Sequence, residues 1–135
     1  MKKIILNDNH RRSLTSSLMI VEKSLVELEE SIARNYNTCC FEVKKDVEPE
    51  ILNENLDLIK EARKVICNLT EKYGTSRSIQ SLRRLIDTKQ TRMWEILCDS
   101  RSRKMKGFGE FPKELSKEYD RDIDELMAII SKIKY

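Results

Sequence analysis

Between Leu14 and Ile32 the apolar residues Leu14, Leu18, Val21, Leu25, Leu28 and Ile32 recur in alternating steps of four and three. A strand alternates every second residue, so it cannot keep such a row on one side. An α-helix can, and the row is then a heptad seam. A chain that carries it must set a long helix against other helices. Beside the seam runs a narrower row at a step of seven, Ser17, Ser24 and Ser31, with His10 one heptad upstream. Small side chains there let a neighbouring backbone approach closely, which marks the row as a candidate interface.

The remaining sequence reads the same way. Only 3 Gly and 2 Pro occur in 135 residues, with 36% charged and 39% hydrophobic residues, the balance of long amphipathic helices and not of a turn-rich sheet. Asn7, Asp8 and Asn9 are good N-cap residues, so the first helix is expected over about 8–34. A connection holding Tyr36, Cys39, Cys40, Phe41 and Val43 follows and is expected to pack back on the domain. Asp46, Glu48, Pro49 and Glu50 suit a helix start, because proline is tolerated in a first turn and carboxylates favour the positive end of the dipole.

The second helix, about 47–73, places Leu52, Leu56, Ile59, Ala62, Ile66, Leu69 and Tyr73 on one side, and Gly74 follows as a left-handed cap. Thr75 or Ser76 then caps a third helix at once, over about 76–104, making the second and third helices an antiparallel hairpin. Its apolar face is Ile79, Leu82, Ile86, Met93, Ile96 and Leu97. Gly107 to Phe111 connect to a fourth helix, about 112–133, with Leu115, Tyr119, Ile123, Leu126, Ile130 and Ile133. The expected fold is all-α, a four-helix bundle of long amphipathic antiparallel helices forming a single domain, 1–135.

Charge sets limits on partners. Lys plus Arg number 26 against 23 Asp plus Glu, and a net charge of +3 does not demand a polyanion. Residues Met1–Leu6 lack the apolar run of about 7 to 15 residues that a secretory signal needs. No later stretch approaches the roughly 20 apolar residues of a membrane span. Cys39, Cys40, Cys67 and Cys98 show no disulfide-scaffold spacing, so a reducing, cytoplasmic setting without membrane attachment is expected.

Candidate chemistry is sparse. His10 is the sole histidine, which rules out paired Glu-x-x-His metal sites and makes any catalytic triad depend on that one residue. The adjacent Cys39 and Cys40 lack zinc-finger spacing, and buried or idle thiols are the usual fate of such residues. All-helical nucleotide pyrophosphohydrolases hold magnesium with glutamate pairs on facing helices. Here only Glu29 and Glu30 form such a pair, which leaves a carboxylate-metal hydrolase as the weakest reading. No catalytic residue, metal ligand or cofactor is assigned.

Two basic groupings stand out. Arg11 and Arg12 follow His10 at the start of the first helix, where positive groups oppose the dipole unless an anion is bound. Arg83 and Arg101 share a helix flank with Trp94, and Arg101, Arg103 and Lys104 form a dense basic run; basic groups beside a Trp can follow a phosphate backbone and stack a base, although Asp87 lies inside the flank. Trp94 at the margin of an apolar face more often seals a helix–helix interface. The functional expectation is a non-enzymatic helical protein acting through protein–protein interaction or self-assembly. Its partner would be a second copy, as a homodimer, or another helical protein, with Ser17, Ser24, Ser31 and Trp94 at the interface. The alternative is a nucleic-acid or phosphate-binding accessory protein that uses the six basic residues.

Overall fold

The computed structural model describes residues 3–134; Met1 and Lys2, part of the stretch tested above for a leader, and Tyr135 lie outside the described residues. The elements are α1 (Asp8–Ala33), α2 (Pro49–Tyr73), α3 (Leu82–Cys98), a short 3-10 helix η1 (Ser102–Phe108) and α4 (Lys113–Ser131). Five helices are therefore present among the described residues, and the four-helix bundle expected above is corrected. The chain divides into two compact units, Met1–Ser78 and Ile79–Tyr135.

The correction is centred on the third helix, which breaks at both ends. Residues 76–80 do not join it. Ser81 is its N-cap, its hydroxyl accepting from the Arg84 N–H at 3.3 Å. The preceding run is rich in serine, whose side chain competes for backbone hydrogen bonds, and its apolar Ile79 is exposed, so no burial holds it helical. At the other end Asp99 closes α3 and Arg101 turns to extended backbone (φ −64°, ψ 153°). The turn from Gly74 to a third helix is thus longer than expected, and helix pairing joins α1 to α2 and α3 to α4.

In the first unit, the local signals hold. The Asn7 side chain accepts from the His10 N–H at 2.8 Å, Pro49 lies in the first turn of α2, and Gly74 ends it in the left-handed region (φ 62°). Between the helices, Tyr36 to Val43 form a small hairpin: Thr38 and Phe41 exchange hydrogen bonds, and Val43 N–H donates to Tyr36 O. Exposed Cys39 and Cys40 are at its tip. Lys45 Nζ reaches back to the carbonyls of Ser31 and Ile32, satisfying the open end of α1.

α1 and α2 run antiparallel. Ile4 N–H donates to Lys72 O at 2.8 Å at one end, and Arg63 pairs with Glu29 at 2.9 Å further along. The inward residues of α2 are those expected, Leu52, Leu56, Ile59, Ala62, Ile66, Leu69 and Tyr73, with Ile59 and Ile66 buried. On α1 the seam splits. Leu14, Leu18, Leu25 and Ile32 are half-buried, whereas Val21 and Leu28 are exposed. One neighbouring helix covers only part of a seam this wide, so no continuous coiled coil forms. The contacts among the described residues lie within the chain, and the expected coiled coil and dimer find no support in them.

In the second unit α3 and α4 are also antiparallel. The Gln90 side chain donates to the carbonyls of Ile130 (2.8 Å) and Ile133 (3.0 Å), capping the end of α4, while Arg101 pairs with Asp124 near its middle. Ile86 and Leu97 of α3 are half-buried, as are Tyr119, Ile123 and Ile130 of α4, around buried Met127. Among the described residues no helix is long and apolar enough to cross a membrane.

The 3-10 segment is anchored by one carboxylate. Asp120 accepts from the Ser102 N–H (2.8 Å) and the Ser102 hydroxyl (2.7 Å), and Tyr119 donates to Ser100 O. The Ser102 hydrogen bonds, helped by the nearby Arg101 and Arg103 charges, hold the Asp120 carboxyl below its usual range. Its folded pKa is thus lower than its unfolded one. The stabilisation is present above the unfolded value and is lost as pH falls through the folded value. We expect acid titration to release this corner, followed by the fluorescence of Trp94, and Asp120→Asn to remove that acid transition.

Candidate functional site

Two kinds of feature stand out on the first unit, an uncovered apolar side and a basic cleft. The apolar side follows from helix geometry. Val21 and Leu28 trail the inward row Leu18, Leu25 and Ile32 by about 50°. On α2, Ile51, Leu58 and Val65 trail the inward row in the same sense by about 80°, at a step of seven. In an antiparallel pair, backward offsets on the two helices point to the same side. The five residues therefore line one side of the α1–α2 groove, each between 46% and 59% exposed.

Ser17, Ser24 and Ser31 border this side along α1, where the sequence places them. Ser17 and Ser24 are exposed, while Ser31 is half-buried and its hydroxyl donates to Glu27 O. Along the α2 border run Glu50, Glu54, Asp57 and Glu61, all exposed. None of the four is in an ion pair among the described residues. The stripe Ile51, Leu58 and Val65 is not among the apolar positions expected above from steps of three and four; its signal in the sequence is the step of seven.

The second unit has a similar side. Leu82, Leu85, Met93 and Ile96 trail the inward row of α3, and Leu126 and Ile129 trail that of α4, all exposed. Trp94 is half-exposed on the opposite flank of α3, away from this side. The apolar residues expected to pack from α3 therefore divide, with Ile86 and Leu97 turned in and Leu82, Met93 and Ile96 left out.

The basic cleft lies where the start of α1 meets the end of α2. It is open, about 650 Å³, and lined by Asp8, Arg11, Arg12, Thr15, Ser16, Gly74 and Ser76. Arg11 is paired with Asp8 one turn back, so half of the basic pair is already neutralised. Arg12 is exposed, with no ion pair among the described residues.

The remaining basic residues belong to the second unit. Arg101 pairs with Asp124 and its Nη2 lies 3.9 Å from Met127 Sδ, whereas Arg103 and Lys104 are exposed on η1. Arg83 is exposed on α3 and already has an interaction partner. Glu29, half of the glutamate pair weighed for magnesium, is tied to Arg63 across the helix pair. Among the described residues no three His, Cys, Asp or Glu side chains gather into a metal-holding group. Compared with known proteins, the chain matches no family model, no curated protein and no solved structure.

Proposed function

We propose that this chain is a protein-binding helical protein that works by laying its uncovered apolar helix sides against another helical protein, or by self-assembly through the same sides. The observation that carries this reading is the aligned exposure of Val21, Leu28, Ile51, Leu58 and Val65 along one side of a helix pair. Scattered exposed hydrophobics need no explanation, but a continuous apolar side framed by polar residues is the form of an interaction surface. Apolar anchors on two helices suit helix-in-groove recognition. Ser17 and Ser24 on the border let a partner backbone come near.

The test compares the tagged full chain with a Leu28→Glu, Leu58→Glu variant. Exposed positions tolerate such changes within about 0.5 kcal/mol, so the circular dichroism of the variant should match the parent. The parent is expected to retain a helical partner on isolation from cells, or to gain mass with concentration in light scattering. The variant should do neither. Equal behaviour of the two chains rejects the reading.

A second reading, an anion or nucleic-acid accessory role, is favoured by the cleft that brings Arg11 and Arg12 to hydroxyls of Thr15, Ser16 and Ser76 at a helix start. It predicts salt-sensitive retention on heparin that weakens in an Arg11→Ala, Arg12→Ala variant and weakens further when Arg101 and Arg103 are also replaced by alanine. Retention unchanged by these substitutions rejects it.

A further inference from the structure

The two borders of the apolar side of the α1–α2 pair differ in charge, and the difference specifies what fits. Along α1 the border is hydroxyl. Along α2 it is a row of four carboxylates, Glu50, Glu54, Asp57 and Glu61, whose steps of four, three and four keep it beside Ile51 and Leu58 for the first three turns of the helix. The row is exposed and carries no ion pair among the described residues. Like charges at helical spacing repel one another, and although Asp57 and Glu61 have Lys60 and Lys64 three residues on, Glu50 and Glu54 have no cation one turn away on the helix. An opposite charge brought by a partner relieves that repulsion.

We propose that the groove between α1 and α2 docks an amphipathic helix with apolar residues at steps of three and four and lysine or arginine along one flank. This rests on the protein-binding reading above and adds the chemistry of the partner. The apolar stripe from Ile51 to Val65 extends over about 21 Å of helix, enough for roughly four turns of a partner lying along it. The partner's apolar residues cover Val21, Leu28, Ile51, Leu58 and Val65, and its basic flank lies over the acidic row. Its backbone comes nearest at the serine border, where no long side chain intervenes. Charge decides orientation, because turning the partner end for end moves its basic flank from the acidic border to the serine border.

The experiment uses the full chain and two fluorescein-labelled synthetic helical peptides of about 18 residues, roughly the four to five turns this groove accepts. They share one leucine face and differ only in having lysine or glutamate on one flank. Binding is followed by fluorescence anisotropy at low and high salt. The lysine peptide is expected to bind at least about tenfold more tightly than the glutamate peptide at low salt, with the difference shrinking as salt rises. Glu54→Lys with Glu61→Lys leaves two acids against two lysines in the row and should abolish the preference, and Leu58→Ser with Val65→Ser should weaken whichever peptide binds.

Equal binding of both peptides, lost in the Leu58→Ser, Val65→Ser variant, overturns the basic-partner inference and leaves the protein-binding reading standing. Lysine-peptide binding that survives those two substitutions places the peptide elsewhere and overturns the inference. Binding of neither peptide overturns it as well. The protein-binding reading then stands or falls on the parent and Leu28→Glu, Leu58→Glu comparison, which uses no peptide.

Discussion

Ile66→Ala is expected to unfold the α1–α2 pair at room temperature. Ile66 is 8% exposed and Ile59 is 5% exposed; they are the buried apolar residues among the described residues of the first unit, on the inward row of α2. Truncating a buried isoleucine to alanine costs about 2 to 5 kcal/mol, through lost transfer energy and the cavity left behind. A unit of this size rarely draws more than about 3 to 5 kcal/mol from its core. The loss is therefore comparable to the whole stability of the pair. Urea denaturation followed by circular dichroism should show a helical transition lost or moved to very low denaturant. Ile66→Val, at about 0.5 to 1.5 kcal/mol, should only shift it. A Leu58→Ala control, on the exposed side of the same helix, should leave it nearly in place. If Ile66→Ala and Leu58→Ala behaved alike, the assignment of inner and outer sides on α2 would be wrong.

Met127→Ala should do the same to the second unit. Met127 is 4% exposed, the buried apolar residue of α4, and Arg101 reaches both its sulfur and Asp124. Truncation removes about 2 to 5 kcal/mol of packing and also the sulfur contact of Arg101, while the Asp120 anchor of η1 is untouched. Trp94 is the only tryptophan of the chain and is on α3, so its emission reports on this unit. We expect its unfolding midpoint to fall sharply in Met127→Ala, and to move little in Leu126→Ala, where the neighbouring side chain is already exposed. Met127→Leu, close in volume, should cost less than about 1.5 kcal/mol.

Both predictions depend on few residues because little of the apolar surface is covered. An amphipathic helix carries an apolar stripe wider than one neighbour can hide. In each pair a single neighbour buries the middle of the stripe and leaves one margin in water. A partner that binds the folded pair adds its binding free energy to this small stability. The melting midpoint of the α1–α2 pair is thus expected to rise with the concentration of any partner that fills the groove.

The first two helices and α4 were legible from local chemistry. Asn7, Pro49 and Gly74 mark ends through hydrogen bonds and backbone angles that involve only their own neighbours, and the inward row of α2 follows from periodicity alone. The third helix is shorter than its pattern at both ends, for a different reason at each. The Ile79 face offered a helical pattern with nothing to pack against, and the break near Arg101 is held by Asp120 and Asp124 some twenty residues away.

Candidate interface and anion residues divided in the same manner. The serine row and the Arg11–Arg12 pair keep the positions that spacing assigns them, but their surroundings belong to the tertiary structure. Asp8 neutralises Arg11, Asp124 holds Arg101, and Trp94 stands apart from the apolar side of α3. No spacing rule says which acid will meet which base when the chain folds.

The amino-acid order alone determined that the chain is helical, where most helices begin and which residues share a face. Only the folded arrangement decided that Leu18, Leu25 and Ile32 lie against α2 while Val21 and Leu28 of the same seam face water. The physical reason is that periodicity reports the direction in which a side chain points, whereas burial requires another surface in that direction. The number of neighbours around a helix is set by the whole chain.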